Sequence, residues 1–252
     1  NNSESSATYV SGELNSENNI EESNNITDEN VKENVPKPFN TFTETVNGVR
    51  FKMIAVEGGS FEMGAISNHH DESNDDEVPL HQVTLSNYYI GEVEVTQELW
   101  KAVMGNNPSH YKNAKNPVEQ VSWTQCQEFV KKLNKLTNKK YSLPTEAQWE
   151  YACRAGSYSP YSWGDYLNGE QANCNGLYPY GMYKLGPFLE HSSPVKSFPP
   201  NKWGLYDMHG NVWEWCLDNY DPTYYTVSPE IDPKGPNDTQ HKVIRGGGWR
   251  SF

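Results

Sequence analysis

Residues 203–218, WGLYDMHGNVWEWCLD, place the tightest limit on what this chain can fold into. Three tryptophans and two glycines are interleaved with Asp207, Asn211 and Glu214, and the run matches neither an alternating strand nor an amphipathic helix. Large rings among glycines and acids read instead as a rigid, partly buried loop. Carbonyls in such a loop converge with carboxylates to hold a hard cation such as calcium, which takes about six to eight oxygen ligands. A purely structural aromatic knot is the alternative.

Only 35 % of the 252 residues are aliphatic, aromatic or Cys, low for a globular chain. The shortage is local. Residues 1–38 are dominated by Asn, Ser and Glu and bury too little apolar area to offset ordering entropy, so they are expected to form a flexible tether. From Phe39 onward the composition supports one sizeable core, expected over 39–252. The net charge of -13 argues against nucleic acid, which requires a basic surface. No run is long enough to cross a bilayer and no signal peptide is present. A polar tether that starts at Asn1 without Met reads as a trimmed precursor. The expectation is an exported bacterial protein of the cell surface or periplasm, with any lipid anchor lying outside the chain. Cys126, Cys153, Cys174 and Cys216 are widely spaced and contain no CxxC pair; disulfides and free buried thiols both fit.

Val49, Phe51, Met53 and Ala55 alternate with polar neighbours before Gly58-Gly59, which predicts a hairpin over residues 48–64. The stretch from His69-His70 to Asp75-Asp76-Glu77 holds metal-type side chains without helical or finger spacing and reads as a solvated acidic loop. His81 to Ile90 reads as a strand. Thr96 opens a helix that ends at Gly105. Ser122 with Gln125 and Thr145 with Gln148 are capping boxes for two more, the second ending near Gly156. From Gly156 to Asn201 no period is visible, a length that is tolerable within one domain when it carries function or is fixed by ions.

The 203–218 run also carries a resemblance, together with Gly58 to Gly64, Glu94-Val95-Thr96, Pro117-Val118 through Val121-Ser122-Trp123, Leu143 to Ala152 and Arg245-Gly246-Gly247-Gly248-Trp249. In this order the motifs resemble the formylglycine-generating enzyme, or sulfatase-modifying factor, family. The resemblance implies an α+β fold of the C-type lectin kind, low in regular structure, with two or three short helices and pinned by calcium. It places a closing strand beyond Phe252, so the 39–252 domain is expected to lack it. The same fold serves sulfoxide synthases, variable ligand-binding proteins of diversity-generating retroelements and secretion-machine lipoproteins.

Carried over residue by residue, the resemblance puts one calcium site on the side chains of Asp207 and Glu214 and the carbonyls of Gly210 and Val212. A second would use the Asn173 side chain and the Cys174 carbonyl. The gapless counterpart of its acidic ligand is Pro187, with Glu190 the substitute if the loop is rearranged. The family's oxidase chemistry needs paired thiolates that bind copper, and soft sulfur cannot be replaced by a hydroxyl. Here the first of those positions is Ser251, and the chain stops before the second. This argues against copper and leaves no catalytic residue assigned; Ser251 also lacks the surroundings of a nucleophile. His209, inside the loop, reads as a hydrogen-bonding residue.

Tyr178, Tyr180, Tyr183, Tyr220, Tyr224, Tyr225 and Trp249 either replace aliphatic core or form an adaptable recognition surface. The reading adopted is a non-catalytic module that binds a protein or glycan ligand. Its competitors are a copper-dependent oxidase of sulfatase cysteines and a structural lipoprotein of a secretion or adhesion assembly.

Overall fold

The computed structural model describes residues 6–7, 10–12, 39–65, 75–237 and 239–251. His69, His70 and the acids up to residue 74 therefore lie outside the described residues, as do residues 13–38 of the expected tether.

Among the described residues, ten short strands and three α-helices form in chain order: β1 (Ser6–Ala7), β2 (Ser11–Gly12), β3 (Phe42–Val46), β4 (Val49–Val56), β5 (Gly59–Met63), β6 (His81–Leu85), β7 (Tyr88–Gly91), α1 (Gln97–Met104), α2 (Trp123–Thr137), β8 (Tyr141–Ser142), α3 (Glu146–Arg154), β9 (Trp213–Asn219) and β10 (Lys242–Arg245). They make a five-stranded sheet in the order β3-β4-β7-β2-β8, a three-stranded sheet β1-β9-β10 and the pair β5-β6. Residues 6–7 and 11–12 thus belong to the sheets, and the Val10 carbonyl accepts the Gly91 N–H. Val10 and Ser11 are buried, and Ser11 pairs with Ile90 on one side and Ser142 on the other.

The helices start where their caps dictate. Thr96, Ser122 and Thr145 each accept a backbone N–H three residues on, and the latter two complete reciprocal boxes with Gln125 and Gln148, satisfying donors that would otherwise be orphaned. Gly105 ends α1 at φ 82. The expected hairpin over 48–64 is corrected: β4 pairs with β3 and β7, whereas β5 pairs with β6. Gly58 does not make a tight turn, because it passes against the backbone of Leu85, where a Cβ would sit 2.1 Å from the carbonyl oxygen. The single strand expected over 81–90 likewise divides into β6 and β7, which join different sheets.

Two buried clusters result. In one, α1 and α2 cover the five-stranded sheet, with Trp100 stacked on Phe129 at 5.1 Å beside Met53, Leu133 and Leu143. In the other, α3 packs Trp149 and Ala152 against Val83, Leu85, Tyr88 and Cys216. The 203–218 run bridges them: Leu205 and Met208 anchor in the second cluster, Val212 in the first. Between residues 156 and 201 the chain has no named helix or strand, as the aperiodic sequence implies. No helix among the described residues is long and apolar enough to cross a membrane.

Candidate functional site

Residues 203–212 of the run are a loop and only 213–218 are strand, which corrects the reading of it as coil throughout. Along β9, Glu214, Cys216 and Asp218 are buried while Trp213, Trp215 and Leu217 are half-buried. The alternation is present but inverted, acids inward, so a pattern that looks for apolar residues on the buried face misses it.

Asp207, Gly210 and Asn211 all have positive φ, at 59, 78 and 62°. Gly210 is required by space as well as by conformation, since a Cβ there would lie 2.3 Å from the Asn173 carbonyl oxygen. Asn211, wholly buried, is the hub. Its Nδ2 donates to Glu94 Oε2 at 2.8 Å. Its Oδ1 accepts from the Ser193 N–H at 2.9 Å and from Asn173 Nδ2 at 3.1 Å. Its backbone N–H donates to the Asn173 carbonyl, and its carbonyl accepts from Trp249. Gly210 N–H reaches the Gly246 carbonyl, so the loop is tied to the segment that follows β10.

Three carboxylates, Glu94, Asp207 and Glu214, are buried about this hub. Burial raises the pKa of Glu94 well above the carboxylate range, and repulsion from Asp207 and Glu214 adds to it. Burial pushes Asp207 up to about 6, against the N–H and charge of Lys196; Lys196 N–H donates to Asp207 Oδ2 at 2.9 Å. Glu214 is also raised by burial, then by Asp207; the Trp149 indole N–H opposes from nearby but does not reach hydrogen-bond geometry, its Nε1 being itself unpartnered. Both Glu214 oxygens are buried without a hydrogen-bond partner. A buried unpaired carboxylate costs about 3–5 kcal/mol, a cost removed by a proton or a cation. The donor set of Asp207, Glu214 and nearby carbonyls is all hard oxygen, which suits calcium. Among the described residues no three His, Cys, Asp or Glu form a metal cluster on their own, so an ion here would draw on backbone oxygens.

At the second expected site, Asn173 Nδ2 is spent on the His191 carbonyl, Ser193 Oγ and Asn211 Oδ1, and its buried Oδ1 has no partner. The Cys174 carbonyl accepts from Gly176 N–H at 3.1 Å, as does the Pro187 carbonyl at 3.2 Å. Glu190 is exposed at positive φ, its carbonyl bonded by the Tyr111 hydroxyl.

All four cysteines are free and buried. Burial pushes Cys126 and Cys153 up to about 12 and Cys174 to about 11, with Cys216 also raised. Cys153 Sγ lies 3.4 Å from His209 Nε2, but burial and the charges of Arg154 and Arg245 hold His209 down to about 4, so the pair is neutral. Ser251 Oγ accepts the Gly248 N–H at 2.9 Å, closing the turn after Arg245. Glu94 and Asn211 have no assigned role in the sequence reading; an acid between two valines just before a helix cap is the signal that marks the first.

The sulfatase-modifying factor enzyme 1-like domain matches residues 39–252. The chain belongs to the sulfatase-modifying factor family. A formylglycine-generating enzyme of Streptomyces coelicolor is 39% identical over 155 residues, covering 60% of this chain and 47% of that enzyme; the chain therefore spans about half the length of this relative. Among solved structures, Treponema denticola variable protein 1 superposes with a TM-score of 0.71 at 30% identity over 84% of this chain and 88% of that one. PvdO from Pseudomonas aeruginosa gives 0.71 at 28% identity, over 86% and 88%. The fold is thus the α+β, C-type lectin-like architecture of this family.

Proposed function

We propose that this family member is a non-catalytic ligand-binding module, exported to the bacterial surface or periplasm, whose 203–218 loop is held by calcium. The observation that carries the non-catalytic reading is Ser251. It stands where the oxidases of this family place their first copper-binding cysteine, and its hydroxyl serves as a turn acceptor for Gly248. None of the four cysteines offers a ready substitute, because each is buried and unpaired, and the copper chemistry needs a pair of thiolates that the metal and a substrate thiol can both reach. The calcium reading is supported by the two unpartnered oxygens of Glu214 and the buried carboxylate of Asp207. When bound, the ion neutralises these charges; Asn211 orients the loop and Glu94 fixes Asn211. Export is supported by the polar, Asn- and Ser-rich stretch that precedes the domain.

The test is incubation of the protein with copper and a cysteine-containing sulfatase peptide, followed by mass spectrometry. An unchanged peptide mass is expected. A mass loss corresponding to aldehyde formation overturns the reading.

A further inference from the structure

Beside β4 an open groove of about 820 Å3 is walled by Tyr151, Trp203 and Tyr206, with Lys52 and Glu92 among its polar lining. Neither Ser251 nor any expected calcium ligand lines it. We propose that this groove is a glycan site, seating the pyranose rings of a neutral oligosaccharide against the three aromatic side chains. The proposal deepens the ligand-binding reading above, on which it rests, by assigning the ligand a class and a place.

A sugar ring offers a C–H face and an equatorial rim of hydroxyls. The first matches the negative face of an aromatic ring, and the second needs donors and acceptors fixed in advance. Both are present. All three aromatics are half-buried; Tyr151 meets Trp203 at 4.9 Å edge to face and Phe61 at 5.0 Å, and Lys196 Nζ lies over one face of the Tyr206 ring at 5.0 Å, so a sugar ring would use the opposite face of Tyr206. Glu92 is bonded by Lys52 Nζ at 3.0 Å and paired with Lys196, and these two ammonium groups hold its carboxylate below the usual range in spite of burial. The triad therefore presents oriented acceptor and donor atoms at a defined place.

The walls are preorganised. Asn201 Oδ1 accepts from the N–H groups of Trp203 and Leu205, while its Nδ2 donates to the Ala152 and Cys153 carbonyls at the end of α3. Tyr206 N–H donates to the Glu92 carbonyl. Ordering cost on binding is correspondingly small. The charged lining is small and internally paired: Lys52 and Glu92 face each other in the groove, Lys196 from beside it neutralises the second oxygen of Glu92, and Glu57 is the one further charge of the lining among the described residues, which favours a neutral ligand over a polyion. The aliphatic residues Ile54 and Val56 on its floor are buried, with 7% and 3% exposed, so no aliphatic patch is offered to a protein anchor; the accessible apolar surface is ring face.

The experiment applies the full chain, in calcium-containing buffer, to an array of immobilised neutral oligosaccharides, and titrates the bound ones in solution by tryptophan fluorescence. Saturable binding of at least one oligosaccharide is expected, weakened about tenfold or more by Trp203→Ala and by Tyr206→Ala. Tyr158→Ala, a change at an exposed ring outside the groove, leaves it unaltered. Should Trp203→Ala fail to fold, Tyr206→Ala and Lys52→Met carry the test, since both residues have solvent-exposed surface. No saturable binding on the array, or binding untouched by Tyr206→Ala and Lys52→Met, overturns the proposal, and capture of a protein partner through these residues does the same. Failure of the groove is separable from failure of the wider reading: aldehyde formation on the sulfatase peptide strikes the non-catalytic assignment alone, and glycan binding that persists without calcium strikes only the ion.

Discussion

Calcium and protons compete for the same buried carboxylates, so the stability gained from calcium should depend steeply on pH. Asp207 has its pKa raised from 3.8 to about 6, and Glu94 and Glu214 are raised in the same direction. Without calcium, a raised carboxylate gives the folded state more protons than the unfolded one. The stability it contributes is complete below the unfolded pKa near 3.8 and is lost as pH rises through about 6, an effect of about 3 kcal/mol for Asp207 alone. With calcium the sign reverses, because the ion binds only the ionised form and must expel any proton already present. At pH 7 and calcium at about 1,000 times its Kd the folded state gains about 4 kcal/mol. For a domain of this size that is a rise of about 8–16 °C in Tm. At pH 5 the Asp207 proton alone takes about 1.4 kcal/mol from this gain, and the upward shift of Glu214, the other carboxylate ligand, acts in the same direction. The assay is thermal unfolding in metal-free buffer with and without added calcium at pH 5, 6, 7 and 8. Glu214→Gln is expected to abolish the calcium shift, since its amide cannot supply the ionised oxygens the ion needs. A shift that is absent, or the same at pH 5 and pH 8, refutes the reasoning.

Asn211→Ala removes the bonds to Glu94, Ser193 and Asn173 at once and should cost about 2–4 kcal/mol in urea unfolding; a loss under about 0.5 kcal/mol would remove Asn211 as the hub. Gly210→Ala combines φ 78 with a Cβ 2.3 Å from the Asn173 carbonyl, and a loss of about 2 kcal/mol or more is expected by the same measurement. All four thiols should resist a disulfide exchange reagent at pH 8 in the native protein and react only on unfolding, because each is buried and protonated; fast modification of any one contradicts the buried-thiol argument against copper.

Much of this architecture was legible without coordinates where local chemistry decides it. The helix starts at Thr96, Ser122 and Thr145 follow from caps that act within four residues, and the motif order marks the family. Pairing partners were not legible. Gly58-Gly59 looks like a turn between two strands, yet the residues that set its course are at Leu85, remote in sequence. The strand Trp213–Asn219 escaped detection because its buried face carries Glu214 and Asp218, a pattern that only a neutralised or ion-filled interior tolerates. Residues 10–12 looked like tether because their composition is polar, but the gap between β7 and β8 accepts Ser11, whose hydroxyl contacts Ser142 Oγ at 2.8 Å. Asp207 and Glu214, expected as calcium ligands, are both buried, whereas the part of Glu94 depends on a contact with Asn211 across 117 positions of sequence.

The most direct examination of the central claim is a crystal structure of the protein grown with calcium, with anomalous scattering used to locate the ion. The account expects one peak about 2.3–2.6 Å from oxygens of Asp207 and Glu214 and from the Gly210 and Val212 carbonyls. Density that is empty there at saturating calcium, with Glu214 still unpartnered, would contradict it.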